Sequence, residues 1–186
     1  VLDQIKGKTD SQIQRELGGL IKKGAQETRI ISEGSARARD MLHDLPVTDI
    51  QRIDAAAANK PYVGKPGNYV PPYPEGSDVW KFKTAAETKF VRVHVDEVKS
   101  RGRFLLLTED EFKHLHGDAE EIRRFLRLEK KPSFVTDVVV PKGTEMQAGA
   151  IGPQPKLGMP TSSSGVQFEL LSDIPATSFQ NTRPIK

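Results

Sequence analysis

The chain has 186 residues and no cysteine. That absence excludes a disulfide scaffold, a thiolate zinc site and a cysteine nucleophile together. Long apolar runs are missing too. No stretch approaches the ~18 residues that a membrane-spanning helix needs. The first ten residues, VLDQIKGKTD, lack a basic segment followed by an apolar one, so no signal peptide is expected. A Val start is what a piece of a longer chain shows. Charge of one sign is not clustered. The net charge is +3, with 28 Lys and Arg against 25 Asp and Glu. The two signs interleave along the chain, which reads as solvated surface, and a nucleic-acid footprint with its basic stripe is not expected.

Several catalytic signatures are also absent. No G-x-x-x-x-G-K-[ST] loop is present to cradle a phosphate, and no G-x-S-x-G elbow to expose a serine. Ser162, Ser163 and Ser164 precede a strand, so a turn is the plain reading of that run. His94 sits in a strand, and His114 and His116 are two apart, so none forms the i, i+4 pair that a helical zinc site uses. Surface histidines and no metal site are the expectation.

What is present falls into three segments. Residues 1–60 look helical and thinly apolar. Thr9, Asp10 or Ser11 can cap a first helix carrying Ile13, Leu17, Leu20 and Ile21. Gly18, Gly19 and Gly24 weaken it by about 1 kcal/mol each relative to Ala. A second helix is predicted from about Ala25 to Leu45, ended by Pro46. A third, short one is predicted in VTDIQRIDAAAANK. Residues 61–78, PYVGKPGNYVPPYPEGSD, are rich in Pro, Gly and Tyr and read as a linker or an ordered extended arm.

From residue 79 onward, period-2 alternation takes over. VWKFK, KFVRVHVDEV, SFVTDVVV, EMQAGAIG and GVQFELL read as strands, and ATSFQNTRPIK as a tail that adds an edge. TEDEFKHLHGDAEEIRRFLRLE reads as helix, capped by Thr108 with Glu111 at the capping-box position and broken near His116-Gly117. Strands, helix, strands implies an α+β domain with a mainly antiparallel sheet, preceded by the helical region.

One junction carries more chemistry than a connection needs. In GAIGPQPKLGMPTSSSGVQFEL, Gln167 and Glu169 share one face of a strand, while Val166, Phe168 and Leu170 fill the other. An amide and a carboxylate at the mouth of a cleft can orient a water or a ribose hydroxyl. The plain alternative is the solvent side of an edge strand. Gly102 between Arg101 and Arg103 can bring backbone N–H groups and guanidinium forks to a phosphate, or form a turn with two exposed arginines.

The order RVHVDEVKSRGRFL, RRFLRL, a strand, then AGAIGPQP…SSSGVQFE resembles the NAD glycohydrolase domains typified by the tuberculosis necrotizing toxin. These end bacterial polymorphic toxins. The resemblance spans about residues 80–171. It implies contact of Arg92 with NAD phosphates, packing of Phe104 on the substrate, and a second phosphate contact from Arg124, with Arg123 as the alternative. Gly102, Arg103 and Gly165 would line the same site. Gln167 falls on the family's catalytic Gln, and Phe134 lies nearest to the family's His. On this resemblance the domains are a helical pretoxin or delivery region (1–60), a linker (61–78) and an NAD-cleaving toxin domain (79–186). NAD(P)+ would be substrate, with no prosthetic group. A cognate immunity protein would be the partner, and the toxin would be secreted or surface-delivered to act in the target-cell cytoplasm. Gln-x-Glu also fits protein ADP-ribosyltransferases, with Glu169 stabilising the ribose cation. A toxin nuclease using His94 with Arg101 and Arg103, or a non-enzymatic binding module, is the remaining alternative.

Overall fold

In the structure, a computed structural model, residues 9–64, 71–152 and 165–185 are described. The Ser162–Ser164 run and most of the loop before it lie outside them. Helix α1 runs unbroken from Asp10–His43, where the sequence predicts two helices. Thr9 begins it, its backbone N–H donating to Gln12 Oε1 at 2.9 Å. Gly18, Gly19 and Gly24 reduce helix propensity without blocking a backbone hydrogen bond, and no Pro interrupts the run, so the helix continues.

Only the C-terminal half of α1 is packed. Ile30, Ala38 and Leu42 are buried, whereas Leu17, Leu20 and Ile21 are exposed. The Trp80 indole donates to the Ser35 carbonyl at 3.1 Å, fastening the helix to the sheet.

The segment expected as a third helix divides in two. Val47–Asp54 is strand β1, and Ala55–Asn59 is the short helix α2, capped by Asp54, which accepts from Ala57 N. The strand is mostly exposed on both faces, with a register shift between Thr48 and Gln51. An edge strand of that kind has no alternation to read.

Strands β2 (Asp78–Thr84), β3 (Thr88–His94) and β4 (Leu106–Thr108) follow. Helices α3 (Glu109–His114) and α4 (Ala119–Phe125) come next, then β5 (Phe134–Val140), β6 (Glu145–Ala150), β7 (Val166–Leu170) and β8 (Phe179–Pro184). Thr108 caps α3 through Glu111 N, as expected. The predicted helix breaks at His116-Gly117, where both residues have positive φ, and Asp118 restarts it by accepting from Glu120 N and Glu121 N.

The eight strands form one sheet in the order β1-β2-β6-β7-β4-β3-β5-β8, and every pairing is antiparallel. The fold is α+β, and β8 supplies the expected edge. Phe168 lies 5.2 Å from Phe90 and 6.2 Å from Phe82, ring centre to ring centre, at the heart of the main core. A second, smaller core of Ala55, Ala58, Tyr73 and Val79 forms where α2 and the residues after it return to the sheet. Among the described residues no helix is long and apolar enough to cross a membrane.

The uneven packing of α1 is testable by denaturant unfolding of single variants. Leu42→Ala should lower the unfolding free energy by roughly 3 kcal/mol, the usual loss for a fully buried leucine. Leu20→Ala should change it by less than about 0.5 kcal/mol. Equal losses would mean that the outer half of the helix is packed too.

Candidate active site

Strand β7 lies between β6 and β4, so it is central, and the alternative of an edge strand does not hold. Its alternation is as expected: Phe168 enters the main core, and Gln167 and Glu169 point the other way. That other face is closed, however. Glu169 is 0% exposed and Gln167 6%. The cover comes from the Pro- and Tyr-rich segment. Its described residues form an ordered arm.

The arm is held by specific contacts. The Asn59 side chain brackets the backbone of Tyr73, donating to its carbonyl at 2.8 Å and accepting from its N–H at 3.1 Å. The Tyr73 ring rests on Gly149, where an added Cβ would stand 2.8 Å from it. Pro72 offers its carbonyl to Gln167 Nε2 at 2.8 Å.

These contacts bring three donors to one carboxylate. Tyr73 O–H donates to Glu169 Oε2 at 3.0 Å, and Gln147 Nε2 donates to the same oxygen at 2.7 Å. Tyr62 O–H donates to Oε1. Burial first, and the adjacent Glu169 second, push the Tyr73 phenol well above its usual value of 10.0, so it stays a donor. Withdrawing a carboxylate from water costs several kcal/mol unless hydrogen bonds replace the lost hydration, and three donors do so here. Beyond them, Phe104 meets Tyr62 edge-on, with ring centres 5.5 Å apart.

Arg92 is placed differently. Its Cα pairs with Leu106, and Leu106 pairs with Phe168. The side chain therefore leaves the sheet on the Phe168 side, opposite to Gln167 and Glu169. Its Nη1 donates to the Lys99 carbonyl at 2.9 Å, and its buried Nε has no partner. Burial lowers its pKa. The guanidinium lies against Gly102, where a Cβ would come within 2.5 Å of Nη2.

The connection from Arg101 to Leu105 thus has one end on Arg92 and the other, through Phe104, on the Glu169 cluster. Arg103 is exposed, pairs with Asp173 at 2.9 Å, and gives its carbonyl to Leu170 N. Arg124 is exposed on α4 and pairs with Glu120 and Glu121. Gly165 precedes β7 in contact with Phe125, whose carbonyl oxygen would lie 1.8 Å from an added Cβ.

His94 was expected at the surface and is 3% exposed. The Asp96 carbonyl, 2.8 Å from Nδ1, can only accept, so Nδ1 carries the proton. Nε2 then accepts from Thr136, which is itself 2.8 Å from Thr182. Phe134, at the position nearest the resemblance's His, stacks on the His94 ring. His114 and His116 are exposed, as expected.

Sequence reasoning missed Tyr62, Tyr73, Gln147 and Asn59. The Tyr-rich composition of residues 61–78 was the available signal for the first two. Among the described residues no group of three or more His, Asp or Glu could hold a metal.

The fold is similar to the solved structure of Rhs1-CT in complex with its cognate immunity protein RhsI1. The TM-score is 0.50 at 15% identity, covering 72% of this chain and 96% of that chain. At that identity the likeness is one of fold. No family model matches the chain, and no curated protein does.

Two outcomes follow for solution measurements. Tyr73→Phe should lower stability by roughly 1–3 kcal/mol, because it strips a donor from a buried carboxylate; chemical unfolding at neutral pH reads the loss. Burial, the largest effect on His94, depresses its pKa below 6.5. Its contribution is then fully present above the unfolded-state value and lost as pH falls below about 6.5. Between pH 7 and pH 5 the wild type should lose stability more steeply than His94→Gln.

Proposed function

We propose that this chain is the toxic domain of a bacterial polymorphic toxin, and that it splits the nicotinamide–ribose bond of NAD(P)+. The fold shared with Rhs1-CT, a domain solved with its cognate immunity protein, supports the toxin reading. It also supports a cognate immunity protein as partner, and delivery into a target cell as the setting. The observation that carries the chemistry is the placement of Gln167 and Glu169 side by side on β7, beside the Tyr62–Phe104 aromatic pair.

Cleavage of that bond releases neutral nicotinamide and leaves positive charge on the ribose. Such a reaction is helped most by positioning and electrostatics. A fixed carboxylate next to the developing cation stabilises it. An amide two residues away on the same face of the strand holds the attacking water or a ribose hydroxyl. Phe104 offers a ring for the base to pack on. The connection at Arg101, Gly102 and Arg103 presents cations near Phe104 for the pyrophosphate, with Arg92 beneath Gly102 setting its shape.

Protein ADP-ribosylation is the second reading. The Gln-x-Glu pair on one strand face favours it, and the two reactions share the bond-breaking step. They differ in the acceptor, water or a protein side chain. The nuclease reading has less support, because His94 is buried with both ring nitrogens engaged.

Incubation of the purified chain with NAD+, followed by chromatography, should show nicotinamide and ADP-ribose. Gln167→Ala should slow release by about 10²-fold or more if the amide orients the reacting groups. Release only in the presence of cell extract, with a mass shift on a protein, would select the transferase. Absence of release under both conditions would sink both NAD readings.

A further inference from the structure

Helix α1 rests on β2, β6 and β7 through its C-terminal half. Ile30 is its first buried residue among those described. Before it, residues 10–26 make about 25 Å of helix, at 1.5 Å per residue. Isolated helices of that length are marginal in water, and most gain their stability by burying an apolar side.

The apolar side of this span continues the packed one. In the packed half, Ala38 belongs to the main core, Met41 packs against it, and Gly34 lies against Ala150. These positions alternate at spacings of three and four, and half-buried Ile31 belongs to the same series. Counted back at that spacing, through Glu27, the stripe reads Gly24, Leu20, Leu17 and Ile13. Leu17 and Leu20 are 51% and 66% exposed, and Ile21 beside them 71%. A Cβ added at Gly24 would meet nothing within 4 Å.

Alternate spacing of three and four is the seam of paired helices. The order of sizes along this seam fits a second copy running in the opposite direction. In a symmetric pair, if residue i meets residue j, then j meets i. Placing Leu17 against Leu20 of the second copy brings Ile13 over its Gly24, so a branched side chain fills the space of a missing one. A parallel pair would set Gly24 on Gly24 and leave a gap. Both antiparallel contacts are centred between Gly18 and Gly19, in the middle of the unpacked span. The overlap therefore uses the free length and stops where each helix enters its own domain. Along one flank the same order sets Glu16 near Lys23 of the second copy, opposite charges together.

We propose that this surface binds a second copy of the chain, as an antiparallel helix pair along Ile13, Leu17, Leu20 and Gly24. The inference does not depend on the NAD reading. The seam is short, and contacts that small associate weakly. Dilute protein is therefore monomeric, and Leu20 stays bare in unfolding measurements made there.

Sedimentation equilibrium of the full chain tests the pairing. From low to high micromolar concentration the mass should move from one chain to two. Leu20→Lys should hold it at one chain throughout, with the wild-type unfolding midpoint in dilute solution. The chain has no cysteine, so introduced thiols report the direction. Ile13→Cys and Gly24→Cys chains, mixed under mild oxidation, should become disulfide-linked to each other. Neither should link to itself, because in the antiparallel pair two copies of either position stand roughly 16 Å apart along the helix.

One chain's mass at every concentration overturns the proposal and leaves the stripe to a different protein. Self-linking of Ile13→Cys would mean a parallel pair and overturns the register. A dimer that survives Leu20→Lys places the contact elsewhere and overturns the surface.

Discussion

A carboxylate with no exposure to water organises this molecule. Glu169 sits in the middle of an eight-stranded sheet, and its hydration is replaced by two phenols and an amide. Those donors come from three places: Gln147 on the adjacent strand, Tyr73 in the arm, and Tyr62 after α2. Satisfying one side chain therefore ties Tyr62, Tyr73 and Gln147 to the same face of the sheet. The Asn59 bracket, the Tyr73 seat on Gly149 and the Gln167–Pro72 contact all serve that path. A buried charge is weak as a source of net stability, because desolvation offsets most of what its partners return. Its effect here is to single out one arrangement of the arm.

The opposite face follows different physics. There α1, Trp80 and the Phe82–Phe90–Phe168 cluster build an ordinary apolar core. Arg92 leaves the sheet on this side, partly buried and turned towards the Lys99 carbonyl. The Arg101–Leu105 connection joins the two faces. The hydrogen-bonded Glu169 cluster and the main apolar core are thus kept on opposite sides, with one short connection touching both.

Much of this was legible in the residues, and what was not has definite causes. The alternation in VQFEL assigned each side chain to its face, because period 2 is a local property. Whether the Gln167–Glu169 face was open or closed was not local. Its cover lies 95 to 107 residues earlier in the chain. The single helix over α1 was missed because three glycines counted as a break when they only lower propensity. Strand β1 was missed because an exposed edge leaves no apolar signature, and the alanine run after it pulled the reading towards helix. His94 looked like a surface residue because its acceptors and donors, the Asp96 carbonyl and Thr136, cannot be read from spacing. The approach of Arg92 to Gly102 was suggested by neither residue alone.

The sheet ends at both sides on strands that cannot be extended easily. On β1 the ladder is offset between Thr48 and Gln51, where Asp49 has a positive φ. On β8 the pairing shifts opposite Val135 and Asp137, Asn181 has a positive φ, and the strand finishes in Pro184. Offsets and a proline spoil the regular row of backbone donors and acceptors that another chain would need to add a strand. Among the described residues, neither edge of the sheet therefore offers a regular main-chain template for strand addition. A partner docking at either edge would have to read side chains and surface shape instead.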